Sequence, residues 1–268
     1  MSITTSYQDL KNIFNYNIRA KDLAEFLVSF DYDQPVKSVK EVMKGKGFTV
    51  VGVRKNGDVI GFINIDEIND NGLIKDYIEE INFENEISEN EGIMETLNKL
   101  KDNDYYFVKI LNHYGGIITR SDIKKITFRL WVYGTISIFE ILLLDILRLL
   151  NHDKNTITEL LSKNRIQQAN KIFKLRKDKD EFIDFLECLQ LTDKLGICLL
   201  KNKLLQEKLN LSTEKTRKLI HDIVYLRDEI SHGSDFEKLS FEKFHLILQF
   251  IHDFIEKYEN DELTFTLN

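Results

Sequence analysis

Apolar residues change their spacing once along this chain, near Lys125. Before that point, short apolar runs such as Phe48 to Val53 and Tyr105 to Ile110 are bounded by turn residues, the spacing of strands set among amphipathic helices. After it, apolar positions fall into long helical stripes. Ile126 to Leu150 is apolar nearly all round, which predicts a central helix or one that buries a face against a second chain, with Phe128, Trp131, Phe139 and Leu143 filling the contact. Further helices are predicted over about Glu159 to Leu175, Asp180 to Leu209, from Ser212 onward, and from Ser240 to about Tyr258. Ser212 and Ser240 are N-cap residues, and Leu239 with Phe244 has the spacing of a hydrophobic staple. The fold class is α+β: an α/β module over residues 1–125, then an all-α bundle over 126–268.

The first half repeats itself at a shift of about 54 residues. Lys21-Asp22-Leu23-Ala24-Glu25 answers Lys75-Asp76-Tyr77-Ile78-Glu79, and Val39 to Met43 answers Ile93 to Leu97. Gly61-Phe62-Ile63-Asn64-Ile65-Asp66-Glu67-Ile68 answers Gly116-Ile117-Ile118-Thr119-Arg120-Ser121-Asp122-Ile123. Each unit reads as helix, strand, turn, strand, helix, and Asn56-Gly57 between two apolar runs is a hairpin signal.

Residues 20 to 125, and Gly-Ile-Ile-Thr-Arg-Ser-Asp-Ile most specifically, resemble a tandem pair of CBS domains. The resemblance implies two units packed face to face, with adenine nucleotides held in clefts between them. It assigns Thr119 to phosphate or ribose and Asp122 to the ribose hydroxyls. The first repeat departs from the pattern, with Asn64 and Glu67 at the equivalent places, so one occupied site is expected rather than two. Residue chemistry alone leaves a plainer alternative, in which Thr119 caps the following helix and Asp122 sits in its first turn without any ligand.

Composition narrows the function classes. A chain of 268 residues with 43% apolar residues can bury two cores, and a single proline favours helix. The net charge of −7 argues against wholesale coating of nucleic acid. The balance is uneven, −5 over residues 1–125 and −2 over 126–268, with basic clusters around Lys171 to Lys179 and at Lys215, Arg217 and Lys218. Cys188 and Cys198 have no metal-site spacing and read as reduced packing residues. No signal-peptide pattern opens the sequence, and Arg129, Glu140, Asp145 and Arg148 make Ile126 to Leu150 a poor membrane span, so a cytoplasmic protein is expected.

The best clue to chemistry is Leu226-Arg227-Asp228-Glu229-Ile230-Ser231-His232-Gly233. Leu219, Ile223, Leu226 and Ile230 form one stripe, and Arg227 lies at its edge, where a buried cation calls for an anion; Glu140 is the candidate resting partner. An ideal helix puts Arg227 and His232 roughly 140° apart. Either the helix ends between them, with Gly233 as its C′ residue, or a second chain completes the site. An Arg, a polar residue and a His at this spacing, set before the last helix of a bundle, resemble the HEPN family. Together with the first half and Arg129-Leu130-Trp131-Val132-Tyr133-Gly134, the chain resembles a recurrent bacterial CBS-HEPN architecture. That implies a homodimeric, metal-independent endoribonuclease: Arg227 on the phosphate, His232 moving protons, Asp228 orienting groups, RNA as substrate and an adenine nucleotide as regulator. It equally allows a non-catalytic sensor or scaffold in which the bundle serves dimerisation or partner binding. One branch of the family carries a modifiable Tyr where this chain has Ser234. His245 and His252 are spaced to share a helix face with no carboxylate or Cys to complete a metal site, so they read as packing residues, and Gly45-Lys46-Gly47 lacks the rest of a phosphate loop.

Overall fold

The computed structural model describes residues 7–150, 154–179, 182–232 and 239–263, the side chains of residues 7, 8, 15, 154 and 232 excepted. These form two compact units, one over Asn15–Arg129 and one combining the first fourteen residues with Leu130–Asn268.

In the helical unit, the opening helix α1 (Tyr7–Lys11) runs into a π-helical turn, Asn12–Tyr16. Phe14 lies so close over Gly134 that a Cβ there would sit 2.3 Å from its ring. Phe14 therefore packs against Gly134 within this unit.

Residues 15–129 are built twice. The first repeat runs α2 (Ala20–Leu23), β1 (Glu25–Phe26), β2 (Ser29–Asp31), α3 (Val36–Lys46), β3 (Val50–Lys55) and β4 (Asp58–Asn64). The second opens on a 3-10 turn (Ile74–Tyr77) and continues with β5 (Glu86–Ser88), α4 (Ile93–Asp102), β6 (Tyr105–Ile110) and β7 (His113–Thr119). Both hairpins turn through two residues of positive φ, Asn56 and Gly57 (55° and 93°) and Leu111 and Asn112 (48° and 67°), the conformation whose twist suits a two-residue hairpin. A register shift falls at the same place in each, after Val53 and after Val108. The helices correspond as Val36 to Ile93, not as Val39 to Ile93: buried Val36, Val39 and Met43 on α3 match buried Ile93, Thr96 and Leu100 on α4.

Two sheets result, β2-β3-β4 and β1-β7-β6-β5. The repeats exchange a segment: β1 of the first pairs antiparallel with β7 of the second, Glu25 opposite Ile117, while Glu79 of the second bridges Phe62 on β4. Gly61 and Gly116 permit that exchange, since a Cβ on Gly61 would stand 2.4 Å from the Glu79 carbonyl oxygen and one on Gly116 3.0 Å from Ala24 Cβ. Phe62 and Phe107, ring centroids 4.8 Å apart, fill the space between the hairpins. The helix expected to close each repeat is reduced to a 3-10 turn, Arg120–Lys124, in the second and to turns in the first.

The helical unit centres on α5 (Ile126–Leu149), with Phe139 packed edge-on against Phe254 at 4.8 Å. Among the described residues α5 is the one helix whose length and composition would suffice to cross a bilayer, and most of that stretch is buried by the protein itself. The helix expected over 159–175 is two, α6 (Lys154–Leu160) and α7 (Lys163–Lys177). The span expected over 180–209 breaks into a 3-10 turn (Phe185–Cys188), α8 (Leu191–Leu195), a π-helical stretch (Gly196–Lys201) and α9 (Lys203–Lys208). Polar side chains take the backbone N–H groups at these breaks: Asp184 accepts from Leu186, Asp193 from Gln190 and Asn202 from Leu205. α10 (Thr213–His232) and α11 (Phe241–Glu259) start after Ser212 and Ser240 as expected, each serine accepting a backbone N–H three residues on at 3.3 Å. Both cysteines are buried thiols, and burial raises the pKa of each.

Candidate functional site

β7 delivers Thr119 to the start of the 3-10 turn, and the turn brings Asp122 back beneath it. The Thr119 N–H donates to Asp122 Oδ2 at 2.6 Å and its hydroxyl to the same oxygen at 3.0 Å. Thr119 Oγ1 also lies 2.6 Å from Ser121 Oγ. The other oxygen of Asp122 meets Lys125 Nζ at 2.9 Å, and that ammonium reaches Glu25 at 2.7 Å. Asp122 thus sits in the first turn and accepts from Thr119 at the N-cap, and both residues line an open cleft of about 750 Å³. Apolar Val50, Phe48 and Ile117 line it as well, with Phe26, 92% exposed, on the exchanged strand. Among the described residues, no Lys, Arg or His lines it.

The first repeat builds a different site at the equivalent place. Asn64 Oδ1 accepts the Asp66 N–H at 3.1 Å, a local turn rather than a cap bonded to Glu67. Glu67 instead shares a hydrogen bond with Glu79, and burial followed by that neighbour holds the Glu79 carboxyl above the usual carboxylate range. The cleft here, about 410 Å³, is lined by Glu79, Glu84, Asp102 and Asp104. Tyr105 lines both clefts; burial first, then Glu79, Glu67 and Asp104, push its phenol up. Asn64 and Glu67 therefore do not reproduce the Thr119 and Asp122 arrangement. Glu25, Asp104, Tyr105 and Ser121 join the larger cleft without having been singled out, although Glu25 already stood in the repeat alignment opposite Glu79.

In the helical unit, the predicted stripe on α10 is present, with Ile223 and Leu226 fully buried. Arg227 is one-third exposed, its Nε 3.3 Å from Asp228 Oδ1. That nitrogen is shielded from solvent and has no partner in hydrogen-bonding geometry. Glu140 is not its resting partner: it holds Lys194 at 2.7 Å, an ammonium only 7% exposed. α10 continues through residue 232, so the helix does not end between Arg227 and His232. The His232 side chain, Gly233 and Ser234 lie outside the described residues. Buried Asp222, which the apolar pattern did not flag, pairs with Lys243 at 2.7 Å. His252 does have carboxylates nearby, Asp253 and Glu256, with ligand atoms within 4.8 Å of one another on the surface of α11.

No family model matches the chain, and no curated protein does. Solved structures are similar to part of it. A CBS domain-containing protein from Bacillus anthracis is 14% identical, spans 42% of this chain and 94% of its own, and has a TM-score of 0.36. A putative acetoin utilization protein from Vibrio cholerae is 14% identical over 42% of this chain and 92% of its own, TM-score 0.37. The CBS domains of a transcriptional regulator from Streptococcus pneumoniae are 14% identical over 40% of this chain and 96% of their own, TM-score 0.35.

Proposed function

We propose that residues 15–129 are a CBS-type sensor for an adenosine-containing ligand, and that the helical unit is its output, a homodimeric, metal-independent endoribonuclease. The observation that carries the sensor is the cleft at the strand exchange, where Asp122 and Thr119 stand beside an exposed aromatic ring, Phe26, able to stack on a base. Ligand occupancy there would bear on β1 and β7, the two strands the repeats share.

The ribonuclease reading is supported by Arg227, a cation held at the edge of an apolar stripe with its Nε unbonded, suited to receive a phosphate oxygen. RNA supplies its own nucleophile, the 2′-hydroxyl, so the protein has only to position it, move protons and neutralise charge on the phosphate. In this scheme Arg227 takes the phosphate, Asp228 orients the guanidinium and His232 acts as acid and base. Since the helix is continuous through residue 232, a copy of the motif from a second chain completes the cleft.

Purified protein is incubated with structured and unstructured RNA, with chelator, with and without adenosine or its nucleotides. Cleavage that survives chelator and falls about 10²- to 10³-fold in Arg227→Ala and in His232→Ala supports the enzyme. Retained cleavage in both variants rejects these residues. No cleavage with ligand binding intact leaves the second reading, a sensor whose bundle holds a partner, which the Arg227–Asp228 pairing favours because it already neutralises the guanidinium.

A further inference from the structure

We infer that the cleft beside Thr119 and Asp122 selects a nucleoside without phosphate, uncharged or cationic at its 5′ position, over a phosphorylated nucleotide. This rests on the adenosine-sensing proposal above and narrows its ligand class.

Charge is the argument. Among the described residues three carboxylates line the cleft, those of Glu25, Asp104 and Asp122, and no basic side chain does. The two cations nearest them are already engaged. Lys125 spans Glu25 and Asp122 at 2.7 and 2.9 Å, and Arg120 pairs with Asp104 at 3.1 Å while also donating to the carbonyls of Leu100 and Lys101. Another wall, around Gly47 and Phe48, follows the carbonyl end of α3, the negative end of its dipole; Lys44 and Lys46 of its last turn are not among the lining residues. The 3-10 turn after Thr119 is too short to supply a phosphate-binding helix start.

A phosphate monoester brings about 1.5 to 2 negative charges at neutral pH. Here it would meet three carboxylates against two cations, both already engaged, a net excess of one negative charge. A nucleoside meets different groups: carboxylate lone pairs for its hydroxyls, hydroxyls on Thr49, Thr119 and Ser121, and apolar surface from Phe26 and Phe48 for its base. A 5′ cation would gain from the same field that repels phosphate. At an effective dielectric of about 20, one unit charge at about 8 Å suffices for a preference of roughly tenfold or more, screened as salt rises.

The test is calorimetric titration of the full-length protein with adenosine, 5′-amino-5′-deoxyadenosine, AMP and ATP at low and high salt. The expected order is aminoadenosine, then adenosine, then AMP at least about tenfold weaker, the gap closing with salt. Asp104→Asn, at an exposed position, removes one carboxylate and releases Arg120 from it, and should narrow the adenosine–AMP gap severalfold. AMP or ATP binding as tightly as adenosine in the unaltered protein overturns the inference and leaves the sensor reading standing. Failure of all four ligands to bind rejects the sensor reading, and the inference with it.

Discussion

Gly61→Ala should be among the most damaging single-methyl additions in residues 15–129. The added Cβ would stand 2.4 Å from the Glu79 carbonyl oxygen and 2.4 Å from Ile78 Cγ2, and the first of these is backbone that no rotamer change can move aside. Carbon and oxygen tolerate about 3.4 Å, so the crossing segment must retreat by about 1 Å. That retreat stretches the two bonds that hold it, Phe62 N to Glu79 O at 3.0 Å and Glu79 N to Phe62 O at 2.9 Å, beyond useful range. Two backbone hydrogen bonds at about 1 kcal/mol each, with overpacking of about 1–3 kcal/mol, give a loss of roughly 3–5 kcal/mol. The equivalent Gly116→Ala meets the side-chain carbons of Ala24 at 3.0 Å and Val108 at 3.1 Å, a mismatch of a few tenths of an ångström, and should cost about 1 kcal/mol. Gly45→Ala, on α3 with nothing within 4 Å of the new methyl, should stabilise by about 0.5–1 kcal/mol. Urea unfolding followed by circular dichroism reads all three, with fluorescence of buried Trp131 reporting separately on the helical unit. A Gly61→Ala protein as stable as Gly116→Ala would refute the close crossing of the repeats.

Two further outcomes follow from paired charges. Glu140→Gln leaves the Lys194 ammonium buried without its carboxylate and should cost about 2 kcal/mol in denaturant titration, less than a fully buried pair because Glu140 is 35% exposed; adding Lys194→Met should recover most of it. Glu79 holds its proton more tightly folded than unfolded, so its favourable contribution is present below the ordinary carboxylate range and lost as pH rises through its raised folded pKa. Glu79→Gln should therefore raise Tm at pH 7 and give no gain near about pH 4; an equal gain at both would show that ionisation is not involved.

The repeat and the strand hairpins were legible because strand pairing depends on alternation and turn chemistry, which are local: Asn56-Gly57 announces its turn. The matching turn at Leu111-Asn112 was not announced, since leucine disfavours positive φ and is held there by the hairpin around it. Helix register within the repeat was misread because the two repeats differ in loop length before and after the helix, so one fixed shift cannot align every element. The long helix over 180–209 failed for another reason. Its leucines keep helical spacing, but Asp184, Asp193 and Asn202 each take a backbone N–H, and tertiary partners reinforce the breaks, as Arg165 does by meeting Asp193 at 2.7 Å. Thr119 and Asp122 were found by motif, whereas the charge of their cleft was invisible, being assembled from residues as far apart as Glu25, Asp104 and Asp122.

Lys125 explains why the two clefts diverged. It bridges Glu25 and Asp122 at 2.7 and 2.9 Å, so both carboxylates of the larger cleft meet a cation. The residue in the same place of the first repeat is Asp70, which turns to Lys40 at 3.1 Å and puts no positive charge between Glu67 and Glu79. Burial first, then the neighbouring Glu67 carboxyl, raise the Glu79 pKa. The exchange of Lys for Asp, together with the change from Thr119 and Asp122 to Asn64 and Glu67, distinguishes a place where two carboxylates meet an ammonium from one where two carboxyls face each other.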